Sequence, residues 1–249
     1  MMVYLAGECY GKKVFVQQKF KFNRLDSFYY LKKSKEGMEW VPHYDNHMLD
    51  SGAFTFIMTK KKQKVNIDLF TDEYINYINE VDHKLFFEMD VDSVYGYEKV
   101  KQLRHRIESK TGKQSIPVFH MKRGIDDWKA MCKDYDYISL GIAGKAVSWG
   151  DHEAFYKFVM SARNEGCKVH GLGITGMRTL AKVPFFSVDS SAWTAGNRYK
   201  TIFKFDGRYV KSVKTDLRNK RISNHLGLAT HNFKQWVDFS KSMENKIII

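Results

Sequence analysis

The stretch FFSVDSSAW, residues 185–193, decides how the rest of the chain is read. Its apolar start delivers Asp189 to the end of a buried strand, and a helix-sized segment, GMRTLAKV (176–183), precedes it. The same alternation of a short apolar run and a longer amphipathic one recurs upstream. KVHGLGIT (168–175) follows HEAFYKFVMSARNEG (152–166), and YISLGIAG (137–144) follows DDWKAMCKDY (126–135). Further back, SIPVFHM (115–121) follows YEKVKQLRHRIESKTG (97–112), and KLFFEMDVD (84–92) follows DLFTDEYINYINEV (68–81). The series begins at HMLDSGAF (47–54), where a second aspartate, Asp50, stands in the same setting as Asp189. In the segment 152–166, Phe155, Phe158, Val159 and Ala162 fall on one helical face, and Gly166 suits the helix end.

Each unit takes about 20 to 35 residues, as a strand–helix repeat should. VYLAG near the start adds a seventh strand, and TIFKF (201–205) is a further candidate. Strand–helix alternation implies a parallel sheet. The count of units favours an α/β fold of the single (β/α)8 TIM-type barrel class over a doubly wound sheet. No low-complexity linker divides the 249 residues, so residues 1–249 read as one domain, with core motifs in 47–193 and a basic part in 200–249.

At such a barrel's active face the strand ends converge. They carry Asp50, Ser51, Gly52 and Phe54; Asp90 and Asp92; His120; Gly141, Ala143 and Gly144; Gly171 and Gly173; and Asp189. Two carboxylates facing one another suit chemistry at a sugar C1′, one attacking and the other moving protons. Glycines let a flat ligand approach the backbone closely. The plainer reading is that Asp50 and Asp189 cap loops or helix starts. For His120 a structural role stands beside a ligand contact, and for Asp90 and Asp92 one of the two faces solvent.

The formal net charge of +13 argues for a polyanionic partner. After residue 200, basic residues interleave with Phe and Tyr around a hairpin signal at Asp206-Gly207. Lys211, Lys214, Arg218, Lys220 and Arg221 there, with Lys60, Lys61, Lys62 and Lys64 after the Asp50 strand, form the expected nucleic-acid face. Cys9, Cys132 and Cys167 lie far apart in sequence with no CxxC pair, which argues for reduced thiols in the cytoplasm and against structural zinc. No cofactor is expected. No apolar run approaches the roughly 20 residues that a membrane helix needs.

Several segments together resemble the tRNA-guanine transglycosylases. LDSGAF is similar to that family's DSGGF segment, and FFSVDSSAW resembles its nucleophile segment. YISLGIAG resembles the Gly-Gly-Leu-Ala segment that holds the base, VHGLGIT the following Gly-x-Gly strand, and IPVFH falls where a strand ends in Gln-Gly. The resemblance implies Asp189 as nucleophile and Asp50 as general acid/base. It implies Asp90 or else Asp92, with His120, Gly141 and Ala143, in contact with the base. The family's Cys/Cys/Cys/His zinc subdomain and the Thr-Arg after the nucleophile are absent, and His120 replaces the Gln. That pattern resembles the compact phage and bacterial DNA-guanine transglycosylases. It implies exchange of guanine in DNA for a 7-deazaguanine such as preQ0 or preQ1. The alternatives are the same chemistry on tRNA, a catalytically silent nucleic-acid-binding barrel, and an unrelated nucleoside or sugar hydrolase.

Overall fold

A computed structural model describes residues 1–7, 20–34, 38–59, 66–141, 152–174, 176–213 and 224–244. The side chains of residues 197 and 198 lie outside that description. Seven strands form one parallel sheet: β1 (Met2–Leu5), β2 (Asn23–Ser27), β3 (Asn46–Asp50), β4 (Val118–Phe119), β5 (Tyr137–Leu140), β6 (Lys168–Gly171) and β7 (Ser187–Ser190). Their order is β3-β2-β1-β7-β6-β5-β4, so the first strand lies inside the sheet between β2 and β7. The sheet curls, because its two outer strands approach one segment: Leu49 bridges Phe86, and Phe87 bridges Ile116.

Helices cover the outer face. They are α1 (Phe28–Leu31), α2 (Ala53–Thr59), α3 (Ile67–Glu80), α4 (Asp92–Tyr95), α5 (Tyr97–Thr111), α6 (Ile125–Asp134), α7 (His152–Asn164), α8 (Met177–Leu180), α9 (Ala195–Tyr199) and α10 (His225–Glu244). Their boundaries follow local chemistry. Asn66 caps α3 by accepting from the Leu69 N–H, and Gly112 ends α5 in the left-handed conformation at φ 66°.

The period of two along each strand sorts residues into separate clusters. Tyr4, Leu25, Met48, Phe87, Ile116 and Val118 pack together inside the curl. Their neighbours Val3, Leu5, Phe119, Ile138, Leu140, Val169 and Val188 instead pack outward with helix residues such as Trp128, Phe155 and Trp236. Each such fully buried side chain stabilises the fold by roughly 1.5–3 kcal/mol.

Two expectations are corrected. TIFKF is not a strand of the main sheet: Ile202–Phe205 (β8) pairs antiparallel with Val210–Val213 (β9). That hairpin turns at Asp206-Gly207, where the Asp206 carboxylate accepts from the Arg208 and Tyr209 N–H groups and Gly207 adopts φ 90°. The hairpin is fastened to α10, since Asn232 accepts from Phe203 N–H and Gln235 from Phe205 N–H. The strand that occupies the main sheet instead is β2, NRLDS. It has no apolar run, and its buried Asn23, Arg24 and Asp26 side chains find partners within the fold. Asn23 donates to Glu244 and accepts from Asn46, and Arg24 pairs with Asp26. KLFFEMDVD, expected as a full strand, makes only the two isolated bridges. Finally, α10 packs on β1, with Ser240 donating to the Val3 carbonyl.

Candidate active site

Asp50 ends β3, and its carboxylate accepts from the Gly52 N–H at 3.0 Å. Gly52 holds φ 67°, and a Cβ there would stand 2.2 Å from Ser27 Oγ and 2.6 Å from Tyr29 Cβ. Only glycine closes this turn, so the turn fixes the direction of the carboxylate. Burial is the largest influence on Asp50 and pushes its pKa up. The Gly52 N–H pulls back, and the nearby charges of Asp90 and Asp189 push further, to about 7. Three carboxylates therefore share one neighbourhood at the carboxyl ends of the strands, although Asp50, Asp90 and Asp189 are widely separated in sequence.

Asp189 lies on β7 and is nearly buried. Its Oδ1 accepts from the Gly173 N–H at 2.5 Å and faces His170 Nε2 at 3.3 Å. Gly173 has φ 67°, which turns its N–H inward. Asp90 meets His120 Nε2 at 2.8 Å, and the other ring nitrogen of His120 is buried with no hydrogen-bond partner among the described residues. Gly141 leaves room for that ring: a Cβ at 141 would lie 2.9 Å from His120 Cε1.

Other expected site residues are placed differently. Asp92 does not join the group. It sits at the start of α4 with Lys122 on one oxygen and Arg123 on the other, at 2.8 and 2.9 Å. Asp90 is thus the carboxylate of its segment that reaches Asp50. Ser51 is buried and receives the Ala53 N–H, an ordinary helix-start role, while Phe54 is more than half exposed. Gly171 ends β6 against Ile174, Phe185 and Val188. Ala143 and Gly144 lie outside the described residues, as do Cys9, Lys60, Lys61, Lys62, Lys64, Lys214, Arg218, Lys220 and Arg221. Lys211 is described. It projects from β9 and pairs with Asp206 at 2.6 Å.

Sequence reasoning missed His170, Ser187 and Tyr137. His170 is fully buried beside Asp189, and its Nδ1 lies 2.5 Å from Ser187 Oγ, which also bonds the Tyr137 hydroxyl. The signal was present in the alternation of KVHG, where an outward Val169 implies an inward His170. Glu88 was missed as well. Burial pushes its carboxyl up to about 8 against the opposing pull of Arg104.

Among the described residues, no group of three His, Cys, Asp or Glu side chains is arranged to hold a metal ion. No helix among them is long and apolar enough to cross a membrane. Cys132 and Cys167, distant in sequence, are neighbouring buried thiols. No family model matches the chain, and no curated protein matches it.

Proposed function

We propose that the protein is a base-exchange transglycosylase that replaces guanine in DNA with a 7-deazaguanine through a covalent glycosyl-enzyme. The observation that carries this reading is the contrast between two converging aspartates. Asp50 has a pKa near 7 and so holds a transferable proton near neutrality, while Asp189 is oriented by donors on one oxygen only. Among the described residues Asp189 Oδ2 has no donor, and it is the oxygen left to react. A pair of carboxyl groups with separated roles is what displacement at an anomeric carbon requires.

In the first half-reaction Asp189 Oδ2 bonds to C1′ as the C1′–N9 bond breaks. The bond electrons leave with guanine, which takes the proton of Asp50. In the second, N9 of the incoming deazaguanine attacks C1′ and gives its proton to Asp50, and Asp189 departs as a carboxylate. Both groups return to their starting states, with no ATP and no metal in the balance. The orphaned nitrogen of His120, beside Gly141, is available to an edge of the base. The target base must leave the helix stack, which the +13 net charge favours by drawing the DNA backbone in.

We also read the sheet as a complete (β/α)8 barrel in which residues 85–88 act as the missing strand. Supporting this, Leu49 N–H donates to Leu85 O and Phe87 N–H to Leu49 O on one side. On the other, Ile116 N–H donates to Phe86 O and Glu88 N–H to Ile116 O. Activity on DNA would place the protein in the cytoplasm, of a host cell if it is phage-encoded.

The test is release of labelled guanine from DNA when preQ0 or preQ1 is supplied, run beside tRNA at the same salt. Release from DNA that depends on the added base is expected. Release from tRNA alone would move the substrate to tRNA, and release without an added base would indicate a hydrolase.

A further inference from the structure

The interior of the sheet contains a hydrogen-bonded line whose members before Asp189 have no part in the bond-making and proton-transfer steps above. It runs from Tyr137 on β5 to Ser187 on β7, to His170 on β6, and ends at Asp189. His170 and Ser187 face each other in register across neighbouring strands. Ser187 and His170 are both fully buried. Among the described residues the His170 ring also meets the rings of Tyr4 and Phe87 edge to face, at 6.2 and 5.3 Å between centroids.

The protons on this line can be counted. A phenol carries one, a serine hydroxyl carries one, and a neutral imidazole carries one on either nitrogen. Among the described residues the one partner of the Tyr137 hydroxyl is Ser187 Oγ, and a phenol with that single partner donates to it. The Ser187 hydroxyl then has one remaining acceptor, His170 Nδ1, at 2.5 Å. A proton on Nδ1 would leave the Ser187 hydroxyl buried with nothing to donate to, at a cost of about 1–3 kcal/mol. Nδ1 is therefore an acceptor and the ring proton sits on Nε2. From there it points at Asp189 Oδ1, 3.3 Å away.

We infer that His170 is a positioning residue. It is held as the neutral Nε2–H tautomer by the Tyr137–Ser187 pair, and it fixes the Asp189 carboxylate so that Oδ2 alone faces the substrate. Together with the Gly173 N–H, the imidazole gives Oδ1 two donors, so rotation of the carboxylate would break both. The positioning role rests on the base-exchange reading, whereas the tautomer does not.

Two measurements on the full chain test it. The first is the imidazole nitrogen NMR spectrum of the wild type near neutral pH, with the His170 signal assigned through His170→Gln. A bare Nδ1 and a protonated Nε2 are expected. Ser187→Ala should remove that bias and populate the other tautomer. A wild-type ring protonated on Nδ1, or on both nitrogens, would overturn the inference. The second is exchange kinetics on DNA. His170→Leu should lower kcat by about 10- to 100-fold with KM changed less than about twofold, since misplacing a reacting group is that costly. His170→Gln, whose amide can still donate to Oδ1, should recover most of the loss. Thermal unfolding of both variants checks that the fold persists. If His170→Leu keeps its kcat, or if Gln fares no better than Leu, the positioning role fails. If the wild type exchanges no base on any polymer, the base-exchange reading fails instead, and the spectrum still decides the tautomer.

Discussion

Asp26 and Asp50 stand on adjacent strands, with Ser27 directly opposite Asp50 in the register, yet their environments are opposed. Asp26 points to the outer face of the sheet. Burial would push its carboxyl up, but the charge of Arg24 and hydrogen bonds from His47 and Arg24 overcome burial and hold it well below the usual carboxylate range. Asp50 points inward, receives backbone N–H groups and two like charges, and rises to about 7. The strand delivers an aspartate in both cases. What differs is the sign of the charges that the fold gathers around it. A paired carboxylate outside the sheet serves stability, and the one inside is the group to which the proposed reaction gives proton transfer.

The contrast is broken most severely at the partner of Asp50. Asp189→Ala should reduce exchange by at least about 10^4-fold, as loss of a nucleophile does, without unfolding the chain. The wild type should form a covalent adduct with its polymer that survives denaturation, and the variant should not. Normal turnover by the variant would remove Asp189 from the nucleophile role.

Asp50→Asn should cost about 10^2- to 10^4-fold in kcat while DNA affinity stays within a few-fold. It should also abolish a limb of the pH–rate profile near pH 7, the value to which Asp50 is raised. Its effect on stability has a definite sign. A carboxyl raised from 3.8 to about 7 binds its proton more tightly in the folded state. Folding stability therefore falls as pH rises between those values, and Glu88, raised from 4.5 to about 8, adds to the fall. Asp50→Asn should flatten part of this decline in denaturant titrations at several pH values. An unchanged pH dependence would mean that Asp50 is not buried as a titrating group.

The mirror experiment is Asp26→Ala. Removing one member of this buried ion pair should cost about 3–5 kcal/mol in stability. Exchange per folded molecule should change little, because Asp26 faces away from the site. A large fall in kcat with preserved stability would erase the distinction between the two faces.

The smallest effects concern the polymer. Replacing Lys211, Lys214, Arg218, Lys220 and Arg221 together with Gln should weaken DNA binding across all sequences. It should also flatten the dependence of log affinity on log salt by up to about 0.9 per lost phosphate contact. Lys211→Gln alone should do less than that, since its ammonium already pairs with Asp206. A full unit of slope lost from this one change would show that DNA displaces the ion pair.

Much of this arrangement was written in the chain. The order of apolar and amphipathic segments placed Asp50 and Asp189 at strand ends, and Asp206-Gly207 marked the β8–β9 hairpin. Those features are local, since a strand needs only its own apolar run and a tight turn needs only a residue that accepts positive φ. β2 was hidden for the complementary reason. Asn23, Arg24 and Asp26 look like loop residues until Glu244, Asn46 and His47 arrive from elsewhere to satisfy them. The sequence by itself thus determined which residue types stand at which strand positions, and a large positive charge. The tertiary structure alone decided that Asp90, not Asp92, joins Asp50. It also decided that His170 backs Asp189, and that one aspartate is paired and its neighbour is not. Period-two alternation tells which residues share a face, but which face turns inward depends on how the whole sheet curls. A carboxyl's proton affinity depends on charges that only folding brings near.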